Sequence, residues 1–227
     1  MNLYGIVGSA GSGKDTVANY LCEKYNYKKL SFAGPIKDVL SILFGWDRKL
    51  LEGDTVNSRI WREEVDVWWA KKLNILNFTP RWAMQHIGTE VIRKYFNDEM
   101  WILIIESQML TFDVDDNIII SDCRHPKEFD LIFRYNGKLI KVVRNTTANA
   151  WDKLAEFQNR ADEVTLKQMY DEKRTMEHLF PYVHNSEWAW IGRPVSKEIP
   201  NFGSVEQLHC EIDNFLFSEF ANPKNQQ

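Results

Sequence analysis

Cysteine is scarce. The 227-residue chain holds three, Cys22, Cys123 and Cys210, an odd number spread far apart. That excludes a disulfide framework and any cysteine-based metal spacing, and free thiols fit a reducing compartment. The five histidines show no paired ligand spacing, so no zinc is expected. Long apolar runs are absent too. Stretches such as 101–105 and 118–120 fall far short of the ~20 residues a membrane-spanning helix demands. The N-terminus lacks the basic start and small-residue cleavage site of a secretory leader. With 28 basic and 32 acidic side chains the net charge is −4, which argues against a broadly basic nucleic-acid binder. No N-K-x-D occurs, which argues against a guanine-nucleotide switch, and no G-x-G-x-x-G, which argues against a dinucleotide fold. Neither an internal repeat nor a long linker is visible.

Strands alternating with helices are what remains. Leu3–Val7 is short, apolar and β-prone. A glycine-rich loop and then a helix carrying Val17, Tyr20 and Leu21 follow it. Pro35 opens a second helix, with Ile36, Val39, Leu40, Leu43 and Phe44 forming one apolar face. Residues 46–80 mix charge and tryptophan irregularly and read as mostly helical. Thr79-Pro80 starts another helix, with Met84, Ile87, Val91 and Tyr95 on one face. Residues 98–110 read as helix, and 118–121 as a buried strand that ends at Asp122. A helix from Pro126 stops at Gly137, and 138–143 is a third strand. Residues 144–180 read as helical segments with a mobile insertion. Ser204-x-x-Gln207 is a capping box that opens a last helix, and residues 221–227 are expected to fray. The alternation predicts an α/β fold with a parallel sheet covered on both faces.

Between the first strand and the first helix stands Gly8-Ser-Ala-Gly11-Ser12-Gly13-Lys14-Asp15-Thr16, which matches G-x-x-x-x-G-K. Small residues let successive backbone N–H groups turn toward phosphate oxygens. The helix that follows points its positive end at the same anion, and Lys14 reaches the terminal phosphates. The position after Lys14 usually carries Ser or Thr for Mg²⁺, whereas here it is Asp15, with Thr16 one place later. Asp15 is either a metal or water ligand or an organiser of the loop.

Three further clusters stand out. Lys37 lies on the first turn of the second helix, and taken alone it reads as a solvated lysine. Arg81 and Gln85 share a helix face, offering a fork donor and an amide, or simply an exposed polar face. Asp122 ends a buried strand, where its carboxylate could hold Mg²⁺ through water or accept a proton. Arg124, two residues on, could bind a phosphate with two parallel bonds.

Taken in order, Gly-Ser-Gly-Lys-Asp-Thr, Ala-Gly-Pro-Ile-Lys-Asp, Arg-Trp-Ala-Met-Gln-His-Ile-Gly-Thr-Glu, Trp101, Asp-Cys-Arg-His-Pro-Lys-Glu and Lys-Val-Val-Arg144 resemble the phage-type deoxynucleoside monophosphate kinases. Late in the chain, His184-Asn-Ser-Glu187 and Ile199-Pro-Asn201-Phe-Gly203-Ser204 are similar to two more elements of that family. The likeness spans roughly residues 3–217, and residues 46–80 and 188–193 have no clear counterpart in it.

The resemblance implies transfer of the ATP γ-phosphoryl group to a deoxynucleoside monophosphate. It also implies a three-layer phosphate-loop kinase core (about 1–45, 115–145 and 200–220), a helical acceptor-binding region (about 46–112) and a lid (about 145–195). ATP would bind at Gly11, Ser12, Gly13, Lys14, Asp15 and Thr16, with Mg²⁺ at Asp15 or Thr16. Lys37, Arg81, Gln85, Gly88, Thr89, Trp101, Asp122, Arg124 and Glu128 would serve the acceptor, Trp101 beside its base. Lys14, Asp122, Arg124 and Arg144 would carry the chemistry. Arg160 and Arg174 match no motif and stand as lid candidates or as solvated helix residues. Expected partners are the monophosphate substrate, with neither nucleic acid nor membrane, and a homodimer is left open. The expected location is the cytoplasm, the host's if the source is viral. Two readings compete: another small-molecule kinase on the same core (dephospho-coenzyme A or phosphomevalonate type) and a non-kinase ATP-binding regulatory module.

Overall fold

A computed structural model of the chain describes residues 2–144 and 149–220. The expected fraying of 221–227, and part of the expected insertion after 144, lie outside the described residues. Contacts divide the chain into two compact units, one of residues 1–29 and 113–227 and the other of residues 30–112. The second unit therefore takes in the helix around Leu40, which the sequence reading groups with the core.

In the first unit a five-stranded sheet runs in the order β2-β3-β1-β4-β5. Its strands are β1 (Leu3–Val7), β2 (Lys28–Leu30, whose last residue opens the second unit), β3 (Ile118–Ile120), β4 (Lys138–Val143) and β5 (Lys197–Pro200). β1 pairs in parallel with β3 (Leu3 opposite Ile118) and with β4 (Val7 opposite Lys141), and β4 pairs in parallel with β5. β1 and β3 are buried at every residue, as continuous apolar runs in a doubly covered parallel sheet must be. The edge strands β2 and β5 are short and lysine-bearing. A sheet edge protected from pairing has that composition, and the hydrophobic pattern alone does not reveal either strand.

Two helices cover one sheet face: α1 (Lys14–Tyr25) and α12 (Val205–Phe220). Val17, Ala18 and Leu21 of α1 pack with Leu208, Ile212 and Leu216 of α12 over Ile6, Ile119, Ile140 and Val142. Both halves of the Ser204–Gln207 capping box form. The helix α7 (Pro126–Arg134) packs against β1 and β4 through Phe129, Leu131 and Ile132.

After Arg144 the unit adds four short helices: α8 (Asp152–Arg160), α9 (Glu163–Asp171), α10 (Met176–Leu179) and α11 (Asn185–Trp188). Of these, α8, α10 and α11 close around Ala155, Met176 and Trp188. The Gln158 side chain ties α8 to α10, accepting from Met176 N at 2.6 Å and donating to Glu177 at 3.1 Å.

The second unit holds α2 (Gly34–Phe44), α3 (Val56–Trp61), α4 (Val67–Leu73), α5 (Pro80–Gln85) and α6 (Met100–Met109). Ile36, Leu40, Trp46, Leu51, Phe78, Ala83 and Trp101 form its core. Two sequence expectations are corrected here. On α2, Val39 and Leu43 are 42% and 55% exposed, because the buried stripe runs instead through Ile36, Lys37 and Leu40. Beyond α5 the helix continues over His86–Phe96 as wide π-type turns. The α-helical spacing of Met84, Ile87, Val91 and Tyr95 therefore fails to make one face. Val91 and Tyr95 are exposed, and Gly88 is the buried residue. Among the described residues no helix is long and apolar enough to cross a membrane.

Candidate active site

The first unit brings the phosphate loop, the turn after β3, the end of β4 and α11 to a single place. The loop runs from the end of β1 into α1. Gly13 caps α1 at φ 103, a left-handed conformation that favours glycine. A Cβ there would stand 2.5 Å from Asn201 Nδ2. That approach has a purpose: Asn201 Nδ2 donates to Ser12 O at 2.8 Å, and Asn201 N donates to Val143 O at 2.7 Å. The segment between β5 and α12 thereby braces the loop against β4.

Lys14 sits inside the loop and is 9% exposed. Its ammonium donates to Gly8 O at 2.7 Å and to Ser9 O at 2.8 Å. Burial pulls its pKa down to about 8, and the nearby Arg124 cation adds to the effect. The carboxylates of Asp15, Glu187 and Asp122 act in the opposite direction. The Ser12 hydroxyl is buried and finds no hydrogen-bond partner among the described residues. An orphaned donor in a glycine-rich loop suits an anion that brings its own acceptors. Arg144 Nη1 reaches Gly11 O at 3.2 Å, which places the end of β4 over the same loop.

Asp15 is exposed and pairs with Lys29 at 3.1 Å. Thr16 is half-buried on the first turn of α1.

Asp122 follows β3 by two residues and is half-buried. Glu128 is 2% exposed. It turns back on the chain and accepts from Arg124 N at 2.7 Å and from His125 N at 3.0 Å. Its carboxylate is spent on the turn that carries Arg124 and on the N-terminus of α7, a carboxylate-for-orphan-donor exchange. The Arg124 guanidinium pairs with Glu187 at 2.8 Å and contacts Ser186 Oγ at 3.4 Å.

The two arginines that match no motif face elsewhere. Arg160 donates to Gly192 O at 2.9 Å and pairs with Glu156, and Arg174 pairs with Glu172 at 3.0 Å.

The second unit holds the remaining sequence-selected residues. Lys37 is 9% exposed, which overturns its reading as a solvated lysine. Its ammonium pairs with Glu52 at 2.6 Å, and Arg48 links Glu52 to Asp38. Arg81 is exposed and pairs with Glu63 at 2.9 Å. Gln85 and Thr89 are exposed on either side of the passage from α5 into the π-type run. Trp101 is buried and donates from Nε1 to Gly88 O at 3.0 Å. An indole held this way fixes the wall that carries Gly88.

Sequence reasoning passed over Glu52, Arg48 and Asn201 as side chains with work to do. The i, i+4 spacing of Arg48 and Glu52 was a usable signal. Asn201 had none beyond its place in a short motif.

Loop, buried lysine, orphaned hydroxyl and paired arginine together can grip a phosphate chain and neutralise charge that builds on it. Comparison with known sequences points the same way. A family model described as deoxynucleotide monophosphate kinase matches residues 2–67 and 50–157. A protein of Acanthamoeba polyphaga mimivirus, provisionally named a deoxynucleotide monophosphate kinase, is 30% identical over 155 aligned positions. The match covers 63% of this chain and 75% of that protein. The deoxynucleoside-5′-monophosphate kinase of Escherichia phage T5 is 28% identical over 182 positions, covering 59% and 72%. Among solved structures, the dephospho-CoA kinase of Campylobacter jejuni overlays with a TM-score of 0.39 and 14% identity over 96% of both chains.

Proposed function

The chain belongs to the deoxynucleotide monophosphate kinase family, and from that membership we propose that it moves the γ-phosphoryl group of ATP to the phosphate of a deoxynucleoside 5′-monophosphate, giving ADP and the diphosphate. The observation that carries this reading is the setting of Lys14. It is a buried ammonium donating to two loop carbonyls, with Arg124 and Asp122 acting on it electrostatically.

Phosphoryl transfer passes through a loose, anionic transition state, so positioning and cation supply account for most of the catalysis. In the resting protein Lys14 rests on two loop carbonyls. An incoming triphosphate offers it stronger acceptors, and Lys14 exchanges carbonyl oxygens for phosphate oxygens. The Ser12 hydroxyl and the loop amides of Gly11 and Gly13 take the remaining phosphate contacts. Arg144, at the end of β4, adds a cation on the loop's rim. Arg124 leaves Glu187 for a phosphate of the acceptor, with Glu128 holding its backbone in place. The acceptor's second phosphate pKa lies near 6, so its attacking oxygen carries little proton at pH 7. Asp122 therefore orients rather than deprotonates. Lys37, Arg81, Gln85, Gly88, Thr89 and Trp101 serve the acceptor in this reading.

Mg²⁺ fits the donor set. Among the described residues no group of three or more His, Cys, Asp or Glu forms a cage for a metal. Mg²⁺ ordinarily uses one or two carboxylates together with substrate phosphates. The Asp122 carboxylate and Thr16 hydroxyl would hold it, with Asp15 as the alternative carboxylate once released from Lys29. Its chemical contribution would be neutralisation of the donor phosphates.

The deciding experiment is coupled ADP formation with each common deoxynucleoside monophosphate and its ribose counterpart. Turnover on at least one deoxynucleotide is expected. Slow ATP hydrolysis indifferent to every monophosphate would replace this reading with that of an ATP-binding module.

A further inference from the structure

A polar cavity lies in the first unit. Its volume is about 330 Å³, at the small end of ligand pockets. Lys141, Glu156, Arg160, Trp190, Arg193 and Glu198 line it. None of these belongs to the phosphate loop, to the turn from Asp122 to Glu128, or to Arg144.

The charges in this cavity do not cancel. Lys141 of β4 pairs with Glu198 of β5, its partner in the strand register, at 2.7 Å. Arg160 pairs with Glu156 at 2.9 Å. Both carboxylates are thus taken, and Arg193 is the third cation. Its Nε is buried and has no hydrogen-bond partner among the described residues. A buried donor left unpaired is costly, and native structures rarely keep one without a use.

Local backbone geometry brings this group in. Gly192 adopts φ +76, and a Cβ there would lie 2.9 Å from Glu156 Cγ and 3.2 Å from Arg160 Nε. Only a glycine lets the segment before Arg193 press this closely on α8. Trp190, 8% exposed, contributes a flat apolar wall. A planar guanidinium can offer two parallel N–H donors to two phosphate oxygens, which an ammonium cannot.

We propose that this cavity is a second anion site, one that takes a phosphate monoester no larger than a mononucleotide, with its phosphate on Arg193. The occupant would bridge α8 to the β4–β5 edge and offset the excess positive charge there. Two sources share this chemistry, free inorganic phosphate and a nucleotide.

Equilibrium dialysis of the full chain against inorganic phosphate, dTMP and thymidine tests the proposal, with wild type beside Arg193→Gln and Arg193→Lys. Wild type should bind phosphate or dTMP at one more site per chain than Arg193→Gln. Thymidine should not occupy that site, and Arg193→Lys should weaken it at least about fivefold. Basal turnover of Arg193→Gln should stay within about twofold of wild type. Tighter binding of dTMP than of phosphate would identify a nucleotide site, and equal binding a phosphate site. Equal site numbers in wild type and Arg193→Gln would overturn the proposal. Should the variants fail to fold, crystals of wild type soaked in dTMP and in phosphate decide it. Density on Arg193 supports the site, and a cavity left empty at saturating ligand refutes it.

Discussion

Arg124 and Glu187, 63 residues apart in sequence, meet as an ion pair of 2.8 Å beside the phosphate loop. In the proposed function the Glu187 carboxylate holds the donor that Arg124 would offer to the acceptor phosphate. Both side chains are over a third exposed, so the pair is worth no more than about 1 kcal/mol. Glu187→Gln is therefore expected to lower KM for the monophosphate about two- to fivefold. Steady-state kinetics with varied acceptor would show it, and a raised KM would mean that Glu187 helps the acceptor bind.

Glu128 satisfies two backbone donors from inside the protein. Glu128→Ala strands both, at about 1–3 kcal/mol for each donor left unpaired. Urea unfolding should show that loss. kcat should fall with it, because Arg124 loses its fixed backbone. Glu128→Gln keeps an acceptor oxygen and should recover most of the stability.

Asn201 braces the loop through a single side-chain bond to Ser12 O. Its removal in Asn201→Ala leaves that carbonyl without its partner and loosens the loop by about 1 kcal/mol. KM for ATP should rise about fivefold while KM for the acceptor stays put. Equal changes in both constants would show that Asn201 does not act through the loop.

Lys14 carries the clearest pH signature. Its folded pKa is about 8, against 10.5 for an ordinary lysine. Between those values the unfolded chain holds more protons than the folded one, so stability rises with pH across the window. The penalty for burying the charge is fully present below pH 8. Urea midpoints measured from pH 7.5 to 10.5 should climb in wild type, and the climb should be smaller in Lys14→Met. A phosphate chain raises the same pKa, so nucleotide binding at pH 8.5 should take up protons. Calorimetry in buffers of different ionisation enthalpy measures that uptake, which should vanish in Lys14→Met.

The local grammar of the chain was legible wherever a signal repeats over a few residues. β1, β3 and β4 are short apolar runs, and each stands where its pattern puts it. The loop after β1 is written in its glycines and Lys14, and the start of α12 in Ser204 and Gln207. β2 and β5 escaped, because edge strands are polar by necessity and carry no apolar run. The π-type turns over 86–96 escaped too, because an α-helical period assumed in advance assigns Val91 and Tyr95 to a buried face they do not occupy.

The sequence by itself determined an α/β chain with a phosphate loop and the residue types that a phosphoryl transfer needs, because those follow from neighbours in the chain. Only the tertiary structure decided what each charged group faces. Lys37 is buried against Glu52, Glu128 is consumed by backbone donors, Arg124 is held by Glu187, and among the described residues the Arg193 Nε has no hydrogen-bond partner. Charge pairing and desolvation depend on distances between segments far apart in sequence, and no local pattern encodes those distances.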